Sequence, residues 1–223
     1  MVAYIRGPMV WVAILVFVSG SVFQFVRFFL LSRKAALSES VPALPRDAHP
    51  RKQPFLLRIA EIMHPLRHTV FNTYPLTMAV SSLFHVCLFI LPLFLLGHNV
   101  LVELALGISL PSFPEYITDG MTLVVLFCCA FFLIRRVALA RVRAISDLSD
   151  YLVLALATVP FLSGFLAFHQ IFDYQMVMIV HMISGELMLM AIPFTKLTHM
   201  IFFFFNRFLV INEHTLGRGR RIW

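Results

Sequence analysis

Two histidines, His181 and His199, lie 18 residues apart in one long apolar segment of the sequence. Since an α-helix turns about 100° per residue, this spacing completes about five turns, and both imidazoles are predicted on one helix face. A helix of bilayer length would carry one imidazole near each end of the span. Histidines that project into a helical bundle can bind the iron of b-type haem, so the pair predicts two haems held along one helix. The alternative for each histidine is a hydrogen bond to a neighbouring helix.

A second apolar segment carries His85 and His98, 13 residues apart, and predicts the opposite axial ligand for each haem. Under the topology derived below, the two segments are antiparallel, so depth pairs His85 with His199 and His98 with His181. In an ideal helix His98 would lie about 140° from the face of His85. Pro92 lies between them, and a proline kink would bring the two imidazoles closer to one face.

The composition identifies an integral membrane protein. Hydrophobic residues make up 60% of the 223 residues and charged residues 13%, with 24 phenylalanines and a mean hydropathy of +0.89. A soluble domain of this length could not cover so much apolar surface with polar side chains. The balance is typical of a polytopic bundle whose lipid-facing and inward-facing sides are both apolar.

Five segments are apolar and long enough to cross the membrane as helices, and they predict an all-α bundle that forms a single domain over residues 1–223. Their bounds are 8–31, 76–100, 119–134, 151–172 and 176–208. The third is short unless neighbouring residues extend it. Residues 32–34, Ser-Arg-Lys, follow the first segment in place of a small-residue cleavage site, which favours a retained helix over a signal peptide.

Basic residues predict the orientation of the bundle. Lys and Arg are concentrated in residues 32–75 and in the loop after the third segment. The connections on the other side carry no basic residue and four acidic ones, namely Glu103, Glu115, Asp119 and Asp173. The positive-inside rule therefore places the N-terminus outside and the C-terminal tail in the cytoplasm. The net charge of +7 reflects this topology and not nucleic-acid binding, because the basic residues are divided among loops beside the spans.

The cysteines favour no covalent cofactor. Cys87, Cys128 and Cys129 all fall inside apolar segments, where a thiol behaves as a small hydrophobic side chain. The sequence has no C-x-x-C-H motif for haem attachment, so a bound haem would be b-type. It also has no zinc-type ligand spacing and no glycine-rich phosphate loop, which argues against nucleotide chemistry.

Three charged residues within or beside the spans are further candidates. Glu186 lies inside the fifth segment, five residues after His181, and an ionisable group at membrane depth is functional by default. It would carry protons to or from quinone, or hydrogen-bond another helix in its protonated form. Lys196 and Arg27 would neutralise haem propionates at the cytoplasmic side. The alternative for both is ordinary snorkelling of the side chain to the interface.

The long cytoplasmic loop predicts a surface for a partner. Between residues 55 and 66, apolar side chains recur at helical spacing, with Arg58 and Glu61 on other faces, which predicts an amphipathic helix lying along the membrane. This helix would rest on the inner leaflet or dock an iron–sulfur subunit, and both interpretations stay open. The proline-rich residues 41–54 before it predict an extended linker.

Short stretches in and beside the segments form a recognisable set. They are Gly20-Ser21 with Arg27, Ser82-Leu83-Phe84-His85, Gly97-His98, Arg135-Arg136 with Arg141-Val142-Arg143-Ala144 and Asp147 or Asp150, His181 with Gly185, and Pro193-Phe194-Thr195-Lys196-Leu197-Thr198-His199. Over nearly the whole chain this set resembles the gamma-subunit cytochrome b family of respiratory nitrate reductase. In size and five-helix layout the chain is most similar to the cytochrome b subunits of two sulfate-reducer complexes, the high-molecular-weight cytochrome c complex and the tetrahaem cytochrome complex.

The resemblance implies a membrane subunit with two b-type haems on His85, His98, His181 and His199. A single haem on His85 and His199 is the alternative, because the family's first two ligands usually lie closer together. It further implies electron transfer across a bacterial inner membrane between quinone, or a periplasmic multihaem cytochrome c, and a cytoplasmic iron–sulfur subunit, alongside other membrane subunits. Such a chain is an electron-transfer subunit of an oxidoreductase and no enzyme by itself, except at a quinone site. Two other functions stay open: a haem-free membrane anchor, and a small transporter of protons or a metal.

Overall fold

The computed structural model describes residues 5–38 and 74–202 of the chain. All elements within these ranges are helical, and no strand occurs among them, so the predicted all-α class is confirmed. The predicted amphipathic helix at 55–66, the linker at 41–54 and the C-terminal tail lie outside the described residues.

Five helices are long and apolar enough to cross a membrane, as predicted. In chain order the helices are α1 (Val10–Ser38, entered through a π-helical turn at Ile5–Met9), α2 (Pro75–Phe94), α3 (Leu96–Leu106), α4 (Glu115–Ala138), α5 (Ala140–Arg143), α6 (Leu148–Phe168) and α7 (Tyr174–Ala191). The five spans lie in α1, α2, α4, α6 and α7. Helices suit such apolar segments because, without water in the hydrocarbon, a helix satisfies its backbone groups within its own length.

The chain divides into two compact units. The first comprises residues 1–41 and 136–223, and the second comprises residues 42–135. The first unit therefore contains α1, α5, α6 and α7, and the second contains α2, α3 and most of α4.

In the first unit α7 packs against both α6 and α1. The π-helical turn contacts α7, and Gly20 of α1 meets Pro193 just beyond the C-terminal end of α7, so α1 and α7 run parallel. Gln24 donates a hydrogen bond from Nε2 to the carbonyl oxygen of Pro193 over 2.7 Å. A Cβ atom built on Gly20 would lie 2.7 Å from Cγ of Pro193, so glycine permits this close approach.

Replacement of Gly20 by alanine is expected to destabilise the first unit, because the added methyl group would overlap the rigid ring of Pro193. Overpacking of this kind costs about 1–3 kcal/mol, and the thermal unfolding midpoint of the detergent-solubilised protein should fall. Gly120→Ala is the matched control, since a Cβ atom there meets no described atom within 4 Å and alanine favours a helix. An equal loss of stability in both variants would contradict the close contact.

The second predicted segment, 76–100, is interrupted in the structure. α2 ends at Phe94, Leu95 is extended with φ −77° and ψ 126°, and α3 follows. Pro92 removes one hydrogen bond from the last turn of α2 and so weakens the helix shortly before it ends. The 140° offset expected for about 13 residues of ideal helix therefore does not apply to His98.

The loop after α3 is fastened to this break. The backbone N–H of Phe113 donates to the carbonyl oxygen of Phe94 over 2.9 Å, and the two rings stack with centroids 4.9 Å apart. Buried Asn99 donates from Nδ2 to the carbonyl oxygen of Pro111 at 3.0 Å and to the hydroxyl of Ser112 at 2.8 Å. These bonds fix the start of α3 and hence the backbone that carries His98.

The fifth predicted segment, 176–208, is not continuous either. α7 ends at Ala191, and two 3₁₀ turns follow it. The prediction that His181 and His199 share one face of one helix is therefore wrong, because His199 lies beyond the end of α7.

The residues after α7 explain why the helix ends. Pro193 lies in the first 3₁₀ turn, Ile192–Phe194, and has no N–H group with which to continue an α-helix. Thr195 is extended, with φ −120° and ψ −174°. Its hydroxyl accepts a hydrogen bond from the N–H of Leu197 over 3.2 Å and thereby begins the second turn, Lys196–Thr198.

Candidate functional site

His181 lies on α7 with its ring against α6. Its Nδ1 atom is 2.9 Å from the carbonyl oxygen of Pro160, and a Cβ atom built on Gly164 would lie 3.0 Å from Cε1 of the ring. Pro160 and Gly164 are four residues apart and share one face of α6. Because Gly164 has no side chain, the imidazole can reach the carbonyl group beside it.

His199 follows the second 3₁₀ turn and is exposed. Its Nδ1 atom lies 2.7 Å from the carbonyl oxygen of Lys196. The hydroxyl of Thr198 donates to the carbonyl oxygens of Ile192 and Thr195, at 2.9 Å and 2.7 Å. These bonds tie the turn that carries His199 to the end of α7.

The second unit places its two histidines in the same kind of contact. The Nδ1 atom of His85 lies 2.6 Å from the carbonyl oxygen of Ser81, one turn earlier in α2. The Nδ1 atom of His98 lies 3.1 Å from the carbonyl oxygen of Pro92, across the helix break. Both histidines are half-buried.

All four candidate ligands therefore direct Nδ1 at a carbonyl oxygen. A carbonyl oxygen only accepts hydrogen bonds, so these contacts favour the proton on Nδ1, which in a neutral imidazole leaves the lone pair on Nε2. Histidines that bind metals through Nε2 commonly have this arrangement, in which a carbonyl orients the ring through Nδ1. The pairing of the histidines by depth stays a prediction of the sequence.

A metal site built from several ligating side chains is not seen in the described ranges. No group of three or more His, Cys, Asp or Glu side chains that could hold a metal ion occurs within residues 5–38 and 74–202. Haem iron takes only its axial ligands from the protein, so single histidines with a fixed tautomer are the relevant pattern for that cofactor.

Lys196, a predicted propionate partner, is engaged by two aspartates. Its Nζ atom lies 3.0 Å from Oδ1 of Asp147 and 3.0 Å from Oδ1 of Asp150. Asp147 caps the N-terminus of α6 and forms a capping box with Asp150, which holds both carboxylates at the start of that helix. Arg136 adds a second cation, 3.4 Å from Oδ2 of Asp150. No sequence pattern predicted the ion pair of Arg136. The D-x-x-D spacing of Asp147 and Asp150 before an apolar run is a signal that could have predicted the capping box.

The contacts around Lys196 shift the pKa values of both Asp147 and Lys196. The hydroxyl of Ser149 and then the ammonium of Lys196 hold the pKa of Asp147 below the usual carboxyl range. Hydrogen bonds to Asp150 and Asp147 raise the pKa of Lys196 above its usual value. Because the pKa of Asp147 is lower in the folded protein, its contribution to stability is complete above the unfolded carboxyl pKa and is lost as the pH falls through the folded pKa.

Lys196→Met is expected to lower the thermal stability of the detergent-solubilised protein slightly at neutral pH, and less so at high salt, because the ion pairs of Lys196 are partly exposed. The difference from the wild type should shrink as the pH falls through and below the usual aspartate range, where Asp147 becomes protonated. Thermal unfolding over a pH series measures this, with Lys196→Arg as the charge-retaining control. A difference that is constant at every pH would contradict the assignment.

The two other charged candidates lie in different surroundings. Arg27 is exposed on α1, a position compatible with either of its predicted roles. Glu186 is buried on α7, and neither of its carboxylate oxygens forms a hydrogen bond with any described residue.

A protein of Nitratidesulfovibrio vulgaris (strain Hildenborough) is similar to this chain along nearly its whole length. The two sequences are 34% identical over 226 aligned residues, which cover 98% of this chain and 96% of the relative. They belong to one family. No protein-family model matches the chain, and no solved structure matches it. The similarity runs through both compact units of the chain.

Proposed function

We propose that this protein is a haem b-containing membrane subunit of a respiratory redox complex. It would pass electrons across the membrane between quinone, or a periplasmic cytochrome, and a cytoplasmic iron–sulfur subunit. The observation that carries the proposal is the common contact of the candidate ligands, each with Nδ1 within hydrogen-bond distance of a carbonyl oxygen. His181 makes this contact with a neighbouring helix, whereas the other three histidines use carbonyl groups three to six residues earlier in the chain.

The surroundings of the histidines fit a flat apolar cofactor. Gly185 lies one turn after His181 on the same side of α7, and a Cβ atom there would meet no described atom within 4 Å. Gly97, next to His98, is open in the same way. Glycine beside an axial ligand allows a planar ring to approach the backbone closely. Haem would supply reversible one-electron chemistry at its iron.

The residues of this chain would orient the ligands and exclude water. The carbonyl group of Pro160 fixes the ring of His181 and strengthens Nε2 as a metal ligand. The carbonyl group of Lys196 does the same for His199, and the ion pair between Lys196 and Asp147 restrains the turn between them. The apolar helices keep the local dielectric low, which is one of the factors that set a haem potential.

The predicted orientation gives the two sides of the membrane different partners. The iron–sulfur subunit would bind at the basic cytoplasmic side, on which His199 is predicted. Quinone or a periplasmic multihaem cytochrome c would exchange electrons nearer His181. Other membrane subunits would pack on the exposed apolar faces of the helices, and the bacterial inner membrane is the proposed location.

An optical difference spectrum tests this proposal. The chain, purified from membranes alone or with its partners, is expected to show a b-type haem when the dithionite-reduced and oxidised forms are compared, and a redox titration should resolve two midpoint potentials. A single potential would favour the one-haem alternative. A correctly inserted complex without haem would contradict the proposal and favour a membrane anchor or a transporter.

A further inference from the structure

Glu186 is buried in a membrane-spanning helix without a hydrogen-bond partner among the described residues. It is 6% exposed, and both carboxylate oxygens are unsatisfied in this sense. An unpaired carboxylate in an apolar environment costs far more free energy than its neutral form, so the group is protonated at rest. The neutral group is still unfavourable there, because its hydrogen-bonding capacity is left unpaired. An ionisable residue kept at that cost inside a membrane is a functional candidate.

Glu186 lies on a different face of α7 from His181. Glu186 follows His181 by five positions, which corresponds to about 140° around the helix. The ring of His181 faces α6, where it reaches Pro160. Glu186 lies seven residues before Pro193, only about 20° short of two full turns. Since Pro193 follows directly after α7 and contacts Gly20 of α1, the helical period places Glu186 on the side of α7 that faces α1. The contact between these two helices is here called the α1–α7 seam.

The α1 side of the α1–α7 seam presents a small side chain at the level of Glu186. Ala13 lies seven residues before Gly20, and because the two helices run parallel it matches Glu186, which lies seven residues before Pro193. Ala13 is fully buried, with 0% exposure. A second buried polar atom without a partner among the described residues, the hydroxyl oxygen of Ser21, also belongs to α1.

We infer that Glu186 holds a proton and exchanges it with a quinone that reaches the α1–α7 seam from the membrane, an inference that rests on the proposed electron-transfer function. A protonated carboxyl group donates through its O–H and accepts through its C=O. A quinone oxygen only accepts, whereas a quinol oxygen donates and accepts. One carboxyl group therefore satisfies both redox forms of this ligand. The ligand must be membrane-soluble, because Glu186 lies within an apolar span.

Reduction of the quinone takes two electrons and two protons. The O–H bond of Glu186 breaks as a new O–H bond forms on the quinone oxygen, and the carboxylate then takes a replacement proton from water. The second proton of the quinol also comes from water. The electrons come from the iron–sulfur subunit or the periplasmic cytochrome, and oxidation of quinol reverses each transfer.

An apolar carbodiimide tests the inference, because such reagents modify protonated carboxyl groups inside membranes. In membranes that contain the full-length chain, dicyclohexylcarbodiimide is expected to label Glu186, as located by mass spectrometry, and an excess of a quinone analogue should lower the labelling several-fold. Glu186→Gln should slow quinone-linked turnover about 10²-fold while haem content is unchanged. Glu103→Gln, at an exposed position on α3, is the matched control and should alter neither measurement.

Two results would overturn the inference: labelling of the wild-type chain that the quinone analogue does not reduce, or wild-type turnover in Glu186→Gln. The labelling arm uses the unaltered protein and so does not depend on the folding of a variant. The haem spectrum of the same membranes separates this inference from the proposed function. If the quinone analogue does not protect Glu186 from labelling while the haem spectrum is intact, only the proton site is contradicted. If the wild type contains no haem, the proposed electron-transfer function is contradicted.

Discussion

Replacement of His181 by alanine is expected to remove one low-spin haem component from the reduced-minus-oxidised spectrum and to leave the other. His181 is a proposed axial ligand through Nε2, with its Nδ1 held 2.9 Å from the carbonyl oxygen of Pro160. Without that ligand, the iron changes spin state or the haem is released. Haem per chain, measured as the pyridine haemochrome, should fall by about half, because a component on His199 would keep its ligands.

His169→Ala is the matched control for this experiment. His169 caps the C-terminal end of α6, is exposed, and lies with its ring centroid 4.3 Å from that of Phe165. This position fits an interfacial residue, so its replacement should leave both haem components in place. An unchanged spectrum in His181→Ala, or a loss confined to His169→Ala, would contradict the assignment of His181 as a ligand.

The number of spans could be predicted from the sequence because hydropathy is a local property. The ends of the spans were harder to predict, because they depend on side-chain caps and on neighbouring residues. The third span, predicted at 119–134, extends over Glu115–Ala138. The fourth, predicted at 151–172, begins earlier because the capping box of Asp147 starts α6 at Leu148.

Three prolines show why helix continuity could not be read from the sequence. Pro160 remains inside α6, Pro92 lies three residues before a complete break, and Pro193 lies in a 3₁₀ turn after α7. The same residue type therefore has three outcomes, so a proline alone does not tell whether a helix continues, kinks or ends. For this reason the prediction that His181 and His199 share one face of one helix is wrong.

The partners of the candidate ligands depend on tertiary contacts that spacing does not encode. The Nδ1 partner of His85 belongs to its own helix, that of His98 lies across a break, and that of His181 belongs to a neighbouring helix. Lys196 likewise meets Asp147, which is 49 residues away in sequence. Residue type predicted the chemistry of these groups, whereas their tautomer and ion pairs required the structure.

Gly164→Leu is expected to remove the haem component assigned to His181 even though the histidine itself is kept. A Cβ atom at position 164 would lie 3.0 Å from Cε1 and 3.2 Å from Nδ1 of the His181 ring, and the rest of a leucine side chain would occupy the space of the ring. The imidazole would lose the carbonyl group of Pro160, and Nε2 would leave its position. Gly164→Ala should act more weakly, because a shift of a few tenths of an ångström relieves that contact. The haem should then be retained with a changed midpoint potential.

Gly120→Leu separates this effect from the general consequence of adding a side chain to a membrane helix. Gly120 lies on α4, and a Cβ atom there meets no described atom within 4 Å, so this variant should keep both haem components at wild-type potentials. The expected order of occupancy is wild type, then Gly164→Ala, then Gly164→Leu. If Gly164→Leu kept both components with unchanged potentials, contact with α6 would not position His181. The contacts of Nδ1 with carbonyl oxygens would then result from helix packing alone and would not support metal binding. A ring displaced from its carbonyl partner is expected to bind a metal less well than an oriented ring.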